Sequence, residues 1–284
     1  AKLAQAGINA PTTPGLDTMA CMQAATRGEI DVAFCLGGNL FGSNPDARFA
    51  HEAFEKMKTV VYLNTTLNTG HAWGLGQETI ILPVCARDEE PQPTTQESMF
   101  NYVRLSDGGE SRIEGIRSEV DIITEVAERV LPHHPVLKWK DLKNLSQIRA
   151  WISKVIPGYE EIKSIDQTKE EFHIPGRLLH HPKFATTSGK AKFMIHPIPK
   201  SERPDEKSLR LLTLRSEGQF NTVVYDDGDL YRGQERRDVV LLNPKDMDRF
   251  GFKKNDKVSL KSASGRMDGL LVRPFDIKEG CAAT

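Results

Sequence analysis

A loop rich in glycine and asparagine stands between an apolar run and the start of a predicted helix, and it reads "GGNLFGSNPD" (37–46). Gly37 and Gly38 permit a close approach of the backbone to a ligand, because glycine has no side chain and tolerates unusual backbone angles. Asn39 and Ser43 add side-chain hydrogen-bonding groups. This combination suits a phosphate-bearing ligand, although glycines and asparagines can also serve only to turn the chain.

A second polar loop follows the next apolar run and reads "NTTLNTGHAWG" (64–74). Its short hydroxyl, amide and imidazole groups suit phosphate, ribose or purine edges. A simple chain turn is an equal alternative for this loop in isolation. The candidate binding residues of the loop are Asn64, Thr65, Thr66, Asn68, Thr69 and His71.

A third candidate segment, "LTLRSEGQFNTVVY" (212–225), carries an arginine close to a carboxylate and a glycine. A guanidinium and a carboxylate together can bind a polar heterocycle or a diphosphate through charge-assisted hydrogen bonds. An ordinary surface salt bridge is the alternative interpretation. The polar candidates in this segment are Arg215, Glu217, Gly218, Gln219 and Asn221.

Histidine pairs at 133–134 and 180–181 invite a metal-site hypothesis, but no cysteine or acidic residue follows at ligand spacing. The cysteines are too scattered for a metal knuckle or an iron–sulfur ligand run. We therefore expect reduced thiols, mostly buried, and no metal site in this chain. These thiols are Cys21, Cys35, Cys85 and Cys281.

The charge balance excludes a global attraction to nucleic acid or to an anionic membrane. The 284 residues contain 38 Lys and Arg against 39 Asp and Glu, which leaves a net charge of -1. The first residues resemble neither a signal peptide nor a membrane span, so the sequence predicts a cytoplasmic protein without a membrane segment. The chain begins without a methionine, and we expect it to be part of a longer protein.

The elements that position the first two loops form a predicted parallel sheet. Three short runs rich in Val and Ile, at 30–36, 59–64 and 79–84, are typical of buried parallel strands. A helix with Asn44 as N-cap and Pro45 at its first position is predicted between the first two strands. Because ligands of open parallel sheets bind beyond the carboxyl ends of the strands, both loops fall where a ligand is expected.

A further helix is predicted at 118–131, where Ser118 is a candidate cap and apolar residues recur on one face. We assign residues 1–131 to a Rossmann-like parallel-sheet domain of which only the C-terminal part is present. Residues 132–208 are basic and contain several prolines, with one helical stretch at 142–156. We interpret them as a connecting region that packs on both domains.

The last part of the chain, 209–284, changes to a strand-rich pattern. One short helix is predicted there, with Asn243 as its cap, Pro244 at its first position and Gly251 at its exit. A small β-barrel domain is therefore expected, which makes the predicted fold class α/β plus β. The predicted strands, separated by turn signals, lie at 209–215, 238–243, 257–262 and 269–274.

Five motifs follow one another in an order that resembles the molybdopterin-dependent oxidoreductases. They read "GGNLFGSNPD", "LPVCARDEEPQPTTQES", "FATTSGKAKFMIHP", "LLTLRSEGQFNTVVY" and "NPKDMDRFGFKKNDKVSLKSASG". The similarity is greatest to formate-dehydrogenase-like alpha subunits and covers nearly the whole chain. It implies a Rossmann-like domain and a truncated double-psi β-barrel domain, which together hold a bis-molybdopterin guanine dinucleotide cofactor with molybdenum.

The resemblance also implies roles for individual residues. Glu119 occupies a position where relatives often carry an aspartate that contacts guanine. The residues expected at the nucleotide end of the cofactor are Gly38, Asn39, Asn64, Thr65 and Thr66. Those expected to touch pterin and diphosphate are Thr213, Arg215, Glu217, Gly218, Gln219, Phe220, Asn221 and Thr222.

Two departures from the family pattern restrict which residue roles can be transferred from the family to this chain. Segment 88–101 lacks the lysine and the arginine pair that many relatives carry, so no site residue is assigned there. In the family, the cysteines of a 4Fe–4S cluster and the molybdenum ligand lie upstream of every matched motif. We therefore expect no catalytic and no metal-binding residue in this chain.

The resemblance implies formate-dehydrogenase-like two-electron chemistry in the full-length protein, with a small-molecule substrate such as formate and an electron-transfer partner. This chain alone is expected to be inactive. The alternative is a stand-alone module that binds or assembles the cofactor without redox activity, because the same loops would serve both functions.

Overall fold

The computed structural model describes residues 2–176, 182–198, 205–216, 219, 226–263 and 265–284. Within these residues the chain forms a parallel sheet near the N terminus, a small antiparallel sheet in the middle and a five-stranded sheet at the C terminus. No helix in this described part is both long enough and apolar enough to cross a membrane.

The first sheet is parallel, with strand order β1–β2–β3. Leu36 pairs with Leu63 and Asn64 pairs with Pro83, so the three strands end at one edge. The central strand is buried along nearly all of its length, which suits its β-branched and aromatic residues. The strands are β1 (Val32–Leu36), β2 (Thr59–Asn64) and β3 (Glu78–Pro83), which confirms the positions and direction of the three predicted ones. Only β2 is buried along its length, which corrects the expectation that all three strands are buried.

Helices on one face of this sheet form its main core. After the single-turn α1 (Lys2–Gln5), helix α2 (Thr18–Thr26) packs against α3 (Ala47–Lys56). The buried ring of Phe54 on α3 stacks on Tyr62 of β2, with centroids 6.4 Å apart. The fully buried Met22, Ala25, Ala50 and Ala53 complete this contact between helices and sheet.

Helix α3 begins later than the sequence pattern predicts. Asp46, not Asn44, is the N-cap, and its carboxylate accepts hydrogen bonds from the backbone N–H groups of Arg48 and Phe49. Asn44 instead donates its side-chain amide to the carbonyl of Leu40. A carboxylate is the more favourable cap here, because its charge also complements the positive end of the helix dipole.

A second helix covers part of the opposite face of the sheet, over β2 and the end of β3, whereas Val32, Phe34 and Leu36 of β1 are exposed. Between β2 and β3 lies the single-turn α4 (Gly70–Trp73), and α5 (Glu119–Val130) follows after β3. Ser118 caps α5 by accepting the N–H of Asp121, as predicted. Buried Ile122 of α5 packs with Val61 and Leu63 of β2 and with Val84, which follows β3. Val61 and Leu63 alternate along β2 with the side chains that face the first core.

A second sheet, which the sequence pattern does not predict, crosses the proposed boundary at 131–132. Its order is β4–β5–β6, and β5 pairs with β6 from far along the chain. Residues up to Ile174 are therefore folded together with the part of the chain before residue 131, and the assignment of 132–208 as a connecting region stays a prediction. The elements are β4 (Thr94–Glu97), β5 (Tyr102–Ser106), α6 (Leu145–Val155), α7 (Ile165–Thr168) and β6 (Phe172–His173).

The small sheet has its own apolar cluster. Its buried members are Val103, Ile162, Ile165, Phe172 and Ile174. Helix α6, which confirms the predicted helical stretch, contributes Ile152 at the margin of this cluster. Short 3-10 turns at Arg87–Glu89, Asp141–Lys143 and Glu160–Ser164 connect the elements.

The C-terminal sheet is curled into a half-barrel of order β7–β11–β8–β10–β9. Asn243 caps α8 (Pro244–Phe250), and Gly251 ends the helix at a φ of +71°, both as predicted. Val240, Leu242 and Val272 lie in its buried core. The strands are β7 (Arg210–Leu212), β8 (Val239–Leu242), β9 (Lys257–Lys261), β10 (Arg266–Pro274) and β11 (Cys281–Ala283).

All four cysteines are free thiols, as predicted. Cys35 is buried, but Cys21, Cys85 and Cys281 are only half-buried, which corrects the expectation that most are buried. Burial raises the pKa of the Cys35 thiol to about 11, because the charged thiolate loses its hydration in the core.

At about pH 8 we expect Cys35 to react much more slowly than Cys21 with a thiol-alkylating reagent, because the thiolate is the reacting form. Timed labelling followed by peptide mass spectrometry measures each rate separately. In denaturant the two rates should converge. Equal rates in the native protein would contradict the burial of Cys35.

Asp46→Ala should lower the free energy of unfolding by about 1 kcal/mol, because two backbone N–H groups lose their acceptor. Glu52→Ala, at an exposed position on the same helix, is the control and should change stability by less than about 0.5 kcal/mol. Urea titration measures both values. Equal losses in the two variants would show that Asp46 is not the cap.

Candidate functional site

The two predicted loops meet at the carboxyl edge of the parallel sheet. The carbonyl oxygen of Gly38 accepts hydrogen bonds from Nδ2 of Asn64 at 3.0 Å and from Nδ2 of Asn68 at 2.8 Å. The loop after β1 is therefore tied directly to the loop after β2. Gly38 and Asn64, both predicted site residues, lie in this one hydrogen-bonded group.

Both glycines of the first loop adopt left-handed backbone angles, with φ of +65° at Gly37 and +68° at Gly38. A β-carbon built on either glycine meets no atom within 4 Å. An alanine would thus be disfavoured by the backbone conformation and not by a clash within the chain. The open space beside the glycines is room that a ligand could occupy.

Asn39 is 4% exposed, and its side chain is used inside the protein. Its Oδ1 accepts the N–H of Gly42 at 2.8 Å, and its Nδ2 donates to Oγ1 of Thr69 at 2.8 Å. These bonds hold the first loop in shape and link it to the second. Thr65 and Thr66, by contrast, are exposed.

The start of helix α3 offers little to an anion. The Asp46 carboxylate already accepts the N–H groups of Arg48 and Phe49, and it places a negative charge at the helix start. A ligand phosphate would be repelled by that charge. Phosphate binding at this edge would therefore depend on the loop of Gly37 and Gly38.

Two buried side-chain atoms at this edge have no hydrogen-bond partner among the described residues, namely Oδ1 of Asn64 and Nε2 of His71. Nδ1 of His71 accepts the N–H of Asn68 at 2.9 Å, so the neutral ring carries its proton on Nε2. Burial lowers the pKa of His71 and favours that neutral form. One acceptor and one donor are therefore available to a ligand or a water molecule.

A cleft of about 520 Å³ opens beside the ends of β2 and β3. It brings together Thr65 and Glu119, two predicted site residues that are distant in sequence. The other walls come from the segment after β3, from β4 and from the apolar side of α6. These segments contribute Cys85, Glu90 and Thr94 together with Leu145, Ile148 and Ile152 to its lining.

Two neighbouring glutamates beside the cleft have opposite environments. Glu89 accepts the backbone N–H of Ala86 at 2.8 Å and of Arg112 at 3.1 Å, and these bonds lower its pKa. Glu90 is 8% exposed, and its Oε1 has no partner within the described part of the chain. Burial, followed by the charge of Glu119, raises the pKa of Glu90.

Glu119 stands in the first turn of α5. The residue as a whole is exposed, yet part of its carboxyl is withdrawn from water in the cleft, and this burial raises its pKa. The cleft thus holds two carboxyl groups, one at its mouth and one buried, that both favour the protonated form more than an ordinary glutamate does.

Helix α6 is fixed in place by two side chains. Oε1 of Gln92 accepts the N–H of Leu145 at 3.0 Å at the start of the helix. Arg149, 3% exposed, donates to the carbonyl of Pro93 at 2.8 Å and pairs with Asp166 at 2.6 Å. The apolar side of α6 is therefore a fixed wall of the cleft.

The C-terminal candidates are described only in part. Thr213 and Arg215 are exposed and follow β7. Nη2 of Arg215 donates to the carbonyl of Gln219 at 3.3 Å, and Nη1 of Arg232 donates to the carbonyl of Arg215 at 3.2 Å. Outside the described residues lie Glu217, Gly218, Phe220, Asn221 and Thr222.

In the described ranges, no group of three or more His, Cys, Asp or Glu side chains is arranged to hold a metal ion. Nδ1 of His134 instead accepts the backbone N–H of Leu137 at 2.9 Å. The second histidine pair, at 180–181, lies outside the described residues.

Comparison with known proteins gives matches along the chain. A family profile described as the molydopterin dinucleotide binding domain matches residues 209–284. An uncharacterized oxidoreductase of Mycobacterium tuberculosis (strain ATCC 25618 / H37Rv) is 32% identical over 265 residues, which cover 90% of this chain and 34% of that protein. Protein YdeP of Escherichia coli (strain K12) is 28% identical over 285 residues, which cover 94% of this chain and 37% of that protein. The chain thus spans about a third of the length of these relatives.

A solved structure, acetylene hydratase from Pelobacter acetylenicus, has a similar fold. The TM-score is 0.63 at 18% identity, and the match covers 94% of this chain and 38% of that one. At this identity the likeness concerns the fold alone. Together, the dinucleotide-binding profile and the oxidoreductase relatives support a molybdopterin oxidoreductase family for this chain. Residues 209–284 are the part that matches its dinucleotide-binding domain.

Sequence reasoning missed Glu90 and the wall formed by α6. Glu90 ends the acidic run 88–90, which is typical of a solvated turn. The weak signal for its burial is the glycine pair Gly108 and Gly109: a β-carbon on Gly108 would lie 2.1 Å from the carbonyl oxygen of Glu90. That close approach joins segments that are distant in sequence, so local patterns do not reveal it.

Asn39→Ala should lower the free energy of unfolding of the ligand-free protein by about 1–3 kcal/mol, because the N–H of Gly42 loses its partner in a half-buried loop. Thr66→Ala, at an exposed position in the neighbouring loop, is the control and should change stability by less than about 0.5 kcal/mol. Urea titration measures the free energy of unfolding of both variants. Unchanged stability of Asn39→Ala would show that its internal bonds are unimportant.

Proposed function

We propose that this chain is the molybdopterin guanine dinucleotide-binding part of a molybdenum oxidoreductase. The observation that carries the proposal is the match of residues 209–284 to a molydopterin dinucleotide binding domain. The oxidoreductase names of the relatives support it. The polar loops at the edge of the parallel sheet add a place where a nucleotide would bind.

The residues at that edge fit such a cofactor. The open space beside Gly37 and Gly38 leaves room for a diphosphate or a ribose. The unpaired Oδ1 of Asn64 and Oε1 of Glu90 would accept hydrogen bonds from a nucleotide. When bound, the cofactor supplies the metal and pterin for two-electron redox chemistry, while the protein supplies binding and orientation.

Individual residues would contact different parts of the cofactor. Gly38, Asn64, Thr65 and Thr66 would lie near its nucleotide half, with Asn39 holding their loop, and Glu119 would contact guanine. Thr213 and Arg215, which are exposed after β7, would contact pterin or diphosphate. We also propose that the C-terminal half-barrel has the double-psi topology.

For the full-length protein we propose formate-dehydrogenase-like activity in the cytoplasm, with a bis-molybdopterin guanine dinucleotide cofactor. The substrate would be formate or another small molecule, and electrons would pass through a 4Fe–4S cluster held outside residues 1–284 to a partner protein. The support is the order of the five sequence motifs, which resembles formate-dehydrogenase-like alpha subunits.

Full-length protein purified from a host that makes this cofactor should contain molybdenum, pterin and about two GMP per metal after acid hydrolysis. It should also reduce an artificial acceptor with formate, whereas residues 1–284 alone should not. Metal analysis, pterin fluorescence and dye reduction measure these quantities. Cofactor without turnover of any substrate would favour a binding or assembly module, and absence of pterin and GMP would overturn the proposal.

A further inference from the structure

Glu90 is a buried carboxyl group that the fold does not use. Its neighbour Glu89 is equally buried, but backbone N–H groups of Ala86 and Arg112 pair with both of its oxygens. Glu90 has no such donor, and its Oε1 is buried without a partner among the described residues. A buried, unpaired carboxyl costs stability, so a ligand that supplies donors would remove that cost.

The backbone of Glu90 is nevertheless held firmly. Its carbonyl oxygen accepts the N–H of Gly109 at 2.9 Å, and Gly108 packs so closely that no side chain fits there. The position of the Glu90 side chain at the cleft is therefore set before any ligand binds. Such preorganisation is expected of a recognition group and reduces the entropy lost on binding.

The other walls of the cleft indicate the shape and chemistry of the ligand. Oγ1 of Thr94 is a second buried atom without a partner in the described chain, and Glu119 adds a carboxyl at the mouth. The same cleft is lined by the apolar side chains of Leu145, Ile148 and Ile152 on α6. A flat ring with N–H donors along one edge would meet acceptors on one side and an apolar surface on the other.

The arginines that line the cleft bind groups other than Glu90, although Nε of Arg149 has no partner among the described residues. Arg149 binds Asp166 and the carbonyl of Pro93, and Arg87 donates to Gln96. In the part of the chain that the structure describes, Glu90 therefore lines the cleft without forming an ion pair. A ligand with adjacent N–H groups satisfies both oxygens of one carboxylate, and guanine offers this pair through N1–H and its 2-amino group.

We propose that Glu90 is a specificity-determining residue, whose buried carboxylate accepts hydrogen bonds from the adjacent N–H donors of a guanine base lying in the cleft against α6. This inference rests on the proposed function, because that function supplies a guanine dinucleotide. Glu90 selects guanine over adenine, whose ring nitrogen at the equivalent position is an acceptor and would face the carboxylate unfavourably.

The test uses cofactor-free full-length protein and titrates GMP, IMP and AMP by calorimetry. Wild-type protein should bind GMP more tightly than IMP, which lacks the 2-amino group, and AMP most weakly. Glu90→Gln keeps the shape of the side chain but removes the charged acceptor, so GMP affinity should fall about tenfold or more while AMP affinity stays the same. Glu110→Gln, at an exposed position, is the matched control and should bind all three as wild type does.

A stability measurement separates a recognition role from a structural one. Glu90→Gln should leave the melting temperature of the ligand-free protein unchanged or higher, because a buried unpaired charge is removed. Glu89→Gln should lower it, because two backbone N–H groups lose a charged acceptor. A fall in melting temperature for Glu90→Gln as large as for Glu89→Gln would overturn the recognition role.

A GMP affinity of Glu90→Gln within about twofold of the wild-type value would also overturn the proposal. So would a wild-type protein that binds GMP no more tightly than IMP or AMP. If Glu90→Gln does not fold, Ile148→Trp is used instead, because its larger side chain on α6 fills the cleft and should abolish GMP binding; unchanged GMP affinity would overturn the proposal. The molybdenum and pterin content of the full-length protein tests the proposed function separately from the role of Glu90. If the protein contains the full amount of cofactor but Glu90→Gln does not change GMP affinity, the proposed function stands and the role of Glu90 is overturned. Absence of cofactor from wild-type protein would overturn both the proposed function and the role of Glu90.

Discussion

Parallel pairing of three short strands is the constraint on which the N-terminal site depends. Because β1, β2 and β3 run in one direction and end in register, the loops that follow them collect at one edge. The carbonyl of Gly38 can then accept amides from both Asn64 and Asn68. Antiparallel pairing of the same strands would separate these loops by a strand length, roughly 17–20 Å.

The edge of the sheet shows a division between groups that hold the fold and groups left for a ligand. Asn39, Asp46 and Glu89 are polar and engaged with backbone N–H groups, so they give the loops their shape. Asn64 and Glu90 each retain a buried oxygen without a partner in the described chain. Unpaired buried groups reduce stability, and proteins typically tolerate that cost where binding restores the missing hydrogen bonds.

Fold and chemistry are separable in this group of proteins. The structural neighbour is named a hydratase, whereas the mycobacterial relative is named an oxidoreductase, although both are similar to nearly the whole of this chain. A shared architecture therefore does not by itself identify a reaction. Since the chain spans about a third of the length of these relatives, the reaction of the whole protein stays a proposal.

The sequence by itself determined the local features. Short Val- and Ile-rich runs predicted β1 to β3, and the caps Ser118 and Asn243 predicted the starts of α5 and α8, because these signals depend on neighbouring residues. Only the tertiary structure decided that the region after residue 131 joins a second sheet and that α6 forms a wall of the cleft. It also decided the opposite environments of Glu89 and Glu90, since these depend on Arg112, Gly108 and other groups distant in sequence, and burial is a property of the folded chain.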